Sequence, residues 1–69
     1  MRPKNKLTPR QSSVADLIWA EYADKQIADE LAISETTVNF HIKNIVGKLG
    51  ANDRTHAVTI ALRRGMLQI

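Results

Sequence analysis

Few side chains in this sequence are placed to do chemistry. Asn39, Phe40 and Lys43 bring together an amide, the only phenylalanine and an ammonium. On a helix turning about 100° per residue they share one side with Thr36 and Gly47. An amide can bond adenine bidentately, an ammonium can donate to guanine, and an aromatic ring can rest on a thymine methyl. A merely solvated helix face would carry Lys, Glu and Arg at salt-bridging intervals. Here Lys43 is the one charge, so the face reads as kept clear for a partner.

The two histidines support neither catalysis nor metal binding. His41 sits at the margin of an apolar stripe, as a partly buried structural imidazole would. His56 falls on the polar side of the last helix. Neither has a second ligand at metal-binding spacing beside it. No glycine-rich phosphate loop and no nucleophile arrangement appears. Without cysteine there is no disulfide, thiolate site or cysteine nucleophile. No enzyme, metal or cofactor is expected.

The elements that must hold the polar face are legible from their ends. Ser34 can cap a helix whose stripe is Val38, Ile42, Ile45 and Leu49, and Gly50 suits the left-handed position just past it. Before it, Thr8-Pro9-Arg10-Gln11 predicts an N-cap, a proline at the first helical position and a capping box. That first helix buries Val14, Leu17 and Ile18, with Trp19 and Tyr22 expected to close its end against neighbours as core. A second helix is expected over 25–32 with Asp24 as N-cap, burying Ile27, Ala28 and Leu31. Ala32-Ile33-Ser34 must then turn the chain within about three residues, which makes a helix-turn-helix. A fourth helix over 54–64 follows, capped by Asn52 or Asp53 and ended by Gly65. Its apolar arc is broad. The side bearing Thr55, Val58 and Leu62 can pair with a second copy or simply close the monomer core. Residues 66–69 read as an apolar tail folded back, and residues 1–6 as a flexible basic flank or linker ahead of a single domain over 7–69.

The fold class is therefore all-α, in one small domain near the lower size limit for independent folding. A 43% hydrophobic share with 25% charged residues argues against disorder. No apolar run approaches the roughly 18 residues of a membrane span and nothing resembles a signal peptide, so a cytoplasmic protein without membrane contact is expected. The net charge of +3 is unevenly placed: residues 1–10 sum to +4, 11–35 to −5 and 36–69 to +4. Such asymmetry favours a polyanion partner.

Together these residues resemble the LuxR-type (GerE-type) helix-turn-helix domain of bacterial transcriptional regulators. The matching pieces are Leu7-Thr8-x-Arg10, Val14, Leu17, Ile27-Ala28, Leu31, Ile33-Ser34-Glu35-x-Thr37-Val38-x-x-His41, Ile45, Lys48-Leu49-Gly50, Arg54, Ala57-Val58 and Arg64-Gly65. The resemblance implies a four-helix domain whose third helix enters the major groove of double-stranded DNA. It also implies dimerisation through the fourth helix on pseudo-palindromic sites, and base contacts at Asn39, Phe40 and Lys43. Phosphate contacts are expected from Lys25 at the start of helix two, from Ser34, Thr36 and Thr37 at the start of helix three, and from Asn44. A weak homodimer and an upstream sensor or receiver domain are the further partners it suggests.

The chain departs from the family pattern at four positions. Gln11 and Gln26 stand where Glu is usual. Glu21 replaces a helix-ending Gly, so helix one must run on or end in strain. Gly47 replaces a common Lys or Arg, which removes a phosphate contact. The competing reading is a helical module that docks Phe40, Val58 or Leu62 into a protein partner. Salt dependence separates the two, because phosphate neutralisation gives a steep slope and apolar docking does not.

Overall fold

The computed structural model describes residues 7–67; the flank expected over 1–6 and the last two residues of the tail lie outside them. Four helices occur in the order α1 (Pro9–Trp19), α2 (Asp24–Leu31), α3 (Glu35–Leu49) and α4 (Arg54–Arg63). No strand is present among the described residues.

Three of the four helix starts follow the local chemistry of the sequence. At α1, Thr8 Oγ1 accepts the Gln11 N–H at 3.1 Å, and Gln11 Oε1 accepts the Thr8 N–H at 3.0 Å, completing the capping box. Ser34 caps α3 by accepting the Thr37 N–H, and Asp53 caps α4 by accepting the His56 N–H at 2.8 Å. At α2 the expectation is corrected. The cap position is Ala23, which has no side-chain acceptor, and Asp24 is already the first helical residue. Only the return half of a capping box exists there, with the Ala23 N–H donating to Gln26 Oε1 at 2.8 Å.

All four helices stop in the same way. Past each last turn one residue is left-handed, namely Glu21, Ala32, Gly50 and Gly65 with φ of 67°, 57°, 65° and 68°. Around each, paired hydrogen bonds return to the last carbonyls. Examples are Tyr22 N–H to Leu17 O with Glu21 N–H to Ile18 O, and Ile33 N–H to Ala28 O with Ala32 N–H to Asp29 O. This is the Schellman motif, which satisfies carbonyls that a helix end otherwise leaves open. Gly50 and Gly65 adopt the conformation without Cβ crowding; Glu21 and Ala32 do so at a cost. Helix one thus ends in strain rather than running on.

α3 is the centre of the packing: it meets α1, α2 and α4, and α4 closes back on α1. Its stripe of Val38, Ile42, Ile45 and Leu49 is buried as expected. It meets Val14 and Ala15 of α1, Ile27 and Ala28 of α2, and Ala57, Val58 and Ala61 of α4 in one cluster closed by Leu7. Four alanines in that core allow the short helices to approach closely. Each fully buried Ile or Val contributes about 1.5–3 kcal/mol. Ile33 packs against the core from the turn, and Met66 and Leu67 fold back onto it. Trp19 does not: it is 41% exposed and Tyr22 37%. The left-handed turn at Glu21 ends α1 before either ring can be covered.

Candidate nucleic-acid interface

With its apolar stripe committed to the core, α3 presents Thr36, Asn39, Phe40, Lys43, Asn44 and Gly47 to solvent. The structure therefore brings together on one exposed face all three side chains expected to read bases. Phe40 is 61% exposed, more than any other large hydrophobic side chain among the described residues. Its ring has His41 beside it, edge to face at 5.9 Å between centroids and 62° between planes. Nothing around Gly47 would meet a Cβ within 4 Å, so the helix is open there too.

Further exposed polar side chains stand in the first turns of α2 and α3. Lys25 and Thr36 are exposed. Ser34 and Thr37 are already engaged with each other, their hydroxyl oxygens 2.9 Å apart. One hydroxyl proton joins the pair and the other remains to donate outward. Asn44 is exposed one turn along from Phe40.

Two long-range contacts tie the helices together, one at the start of α2 and one at the far end of α3, and nothing in the local sequence signals either. Arg54, the first residue of α4, donates to the Asp24 carboxylate from both terminal guanidinium nitrogens, the Nη2–Oδ2 contact at 3.1 Å. That hydrogen bond, helped by the opposite charge and opposed by burial, holds the Asp24 carboxyl below the usual carboxylate range; it likewise raises Arg54. The second contact runs from Lys48 Nζ to Gln11 Oε1 at 2.9 Å. Gln11, 8% exposed, so ties the cap of α1 to the last turn of α3. The one amide oxygen accepts from both the Thr8 N–H and the lysine.

The α4 residues expected at a dimer contact separate by burial. Thr55 is exposed and Leu62 is 40% exposed, but Val58 is 4% exposed and belongs to the core. Its remaining surface floors a groove of about 360 Å³ bounded by Ile18, Trp19, Glu21, Thr55 and Thr59. The histidines are accounted for structurally: His41 is half-buried, and His56 Nδ1 accepts the Asn52 N–H at 3.0 Å. Among the described residues no three His, Cys, Asp or Glu side chains could hold a metal ion, and no helix is long and apolar enough to cross a membrane.

A polar helix face standing clear of the core, with a second helix joined to it by a tight turn, defines a helix-turn-helix DNA-binding domain. Comparison with known proteins gives the particular kind. Residues 5–61 match the model of bacterial regulatory proteins of the luxR family, the GerE domain, and the chain belongs to that family. It is 44% identical over 63 residues to the spore germination protein GerE of Bacillus subtilis (strain 168), covering 91% of this chain and 85% of that one. It is 43% identical over 68 residues to the transcriptional regulatory protein YdfI of the same strain, and 37% identical over 68 residues to the transcriptional regulatory protein DegU of Brevibacillus brevis. It covers 99% of its own length in both cases but only 32% and 29% of theirs. In structure it matches the transcription factor GerE with a TM-score of 0.86 at 40% identity, over 90% of this chain and 92% of the other. It also matches the response regulator ChrA of a heme-sensing two-component system, with a TM-score of 0.87 at 32% identity, over 96% of this chain and 33% of the other. The chain is a LuxR-family DNA-binding domain of the kind that transcriptional regulators carry.

Proposed function

We propose that α3 lies in the major groove and reads sequence through Asn39, Phe40 and Lys43, while Lys25, Ser34, Thr36, Thr37 and Asn44 hold the flanking phosphates. Asn39 bonds adenine, Lys43 donates to guanine and Phe40 rests on a thymine methyl. The observation that carries this reading is the exposure of Phe40 on a face otherwise made of two amides, a hydroxyl, one cation and a glycine. Beyond its edge contact with His41, the ring adds nothing to the core and is free to meet a partner. Two copies meet on a pseudo-palindromic site through Thr55 and Leu62, with Val58 beneath them. Two relatives and one structural match are each about three times longer than this chain, and they support a role as the output domain of a larger regulator with a sensor or receiver part. The domain works in the cytoplasm and catalyses nothing.

The test is fluorescence anisotropy with a pool of short random duplexes, titrated at several salt concentrations against wild type, Lys43→Ala and Phe40→Ala. Salt-sensitive binding that both substitutions weaken is the expected result. A folded domain that binds no duplex at low salt would overturn it in favour of protein docking.

A further inference from the structure

We infer that Arg54 is a positioning residue for DNA binding, which acts by neutralising Asp24 at the phosphate-facing edge of α2. The inference rests on the reading above that the first turn of α2 lies along the DNA backbone. α2 is eight residues long and begins at Ala23, a cap position with no side-chain acceptor. A carboxylate in the first turn compensates by complementing the helix dipole, and Asp24 supplies it. That same carboxylate sits next to Lys25, on the helix that crosses the DNA backbone in this kind of motif. Unneutralised, it would repel phosphate and cancel the lysine.

Arg54 is itself placed against the interest of its own helix. It is the first residue of α4, where a cation opposes the dipole. Its guanidinium instead takes both carboxylate oxygens of Asp24, 30 residues earlier in the chain. The pair carries no net charge, keeps its anion for the α2 dipole and leaves Lys25 as the net charge of the first turn of α2. It also ties the start of α2 to α4, so a purely structural role must be separated from an electrostatic one.

Charge arithmetic separates them. Arg54→Ala leaves the pair site at −1, Asp24→Asn leaves it at +1, and the double variant returns it to zero. DNA affinity at low salt should fall on the order of three- to tenfold in Arg54→Ala, stay level or rise in Asp24→Asn, and return to about the wild-type value in the double variant. The differences should shrink as salt rises. Thermal stability should fall in all three, because each breaks the contact. If affinity instead falls in all three along with stability, the pair is only structural. If the double variant binds as poorly as Arg54→Ala, Arg54 touches phosphate itself; either result overturns the inference. Lys25→Ala is the control for the reading beneath it. An unchanged salt slope in that variant would remove α2 from the DNA backbone, whereas a reduced slope without rescue by the double variant would sink the Arg54 inference alone.

Discussion

Replacing Glu21 with glycine should stabilise the domain, although it removes a side chain and adds none. Glu21 holds a φ of 67°. For an L-residue the left-handed region costs about 1–2 kcal/mol, from Cβ crowding against the following carbonyl. Glycine avoids that crowding but loses more backbone freedom on folding, an opposing contribution of roughly 0.5–1 kcal/mol. The difference favours Glu21→Gly by about 0.5–1 kcal/mol. In a domain this small, 1 kcal/mol moves Tm by about 4–8 °C, so a rise of about 2–8 °C is expected. Glu21→Ala is the necessary companion: it keeps the crowding Cβ while removing the carboxylate, and should leave Tm nearly unchanged. Ala20→Gly, one residue earlier at φ −78°, should lower it. The assay is thermal unfolding followed by circular dichroism at several scan rates. If Glu21→Gly and Glu21→Ala gain equally, the benefit belongs to the lost carboxylate and the backbone argument fails. If Glu21→Gly lowers Tm, the turn is not strained at all.

Three further outcomes are expected. The folded-state pKa of Asp24 lies below its unfolded value, so the pair's contribution is complete above the unfolded value near 4 and is lost as pH falls through the folded one. Both partners are partly exposed, which limits the contribution to about 1 kcal/mol; urea unfolding of wild type and Asp24→Asn should differ by that amount at pH 7 and converge in acid. Gly47 lies inside α3 with open space around it, so Gly47→Lys should raise stability by roughly 0.5 kcal/mol in denaturant melts and steepen the salt slope of DNA binding by about one unit. Leu62→Asp should leave the melting curve nearly unchanged, since Leu62 is exposed, but should abolish pairing of two copies on operator DNA in analytical ultracentrifugation; persistence of the dimer would remove α4 from the interface.

What could be read in the sequence was whatever its own neighbours determine. Thr8 with Gln11, and Ser34 with Gly50, announce helix ends because the capping partners lie three residues away or in the same turn. The stripe from Val38 to Leu49 announces a buried face, and with it the exposure of Asn39, Phe40 and Lys43. Asp24 misled because its carboxylate, a plausible cap by local rules, is taken by Arg54 from another helix. Trp19 misled for a related reason. Its size argues for burial, but where α1 stops depends on the backbone at Glu21, and that leaves the ring outside. Val58 and Leu62 lie one turn apart on α4 and looked equivalent by periodicity. Only the packing against α3 and α1 distinguishes the buried one from the exposed one.

The repeated Schellman endings carry a consequence for control. Each helix closes its last carbonyls on itself and hands the chain to the next within a few residues, and a common core then engages all four. The connections between the described helices are short and closed by these hydrogen bonds. A regulatory signal therefore has little to rearrange inside the domain. It can act by carrying the whole block to or from DNA, by screening the α3 face, or by setting the spacing between two such blocks.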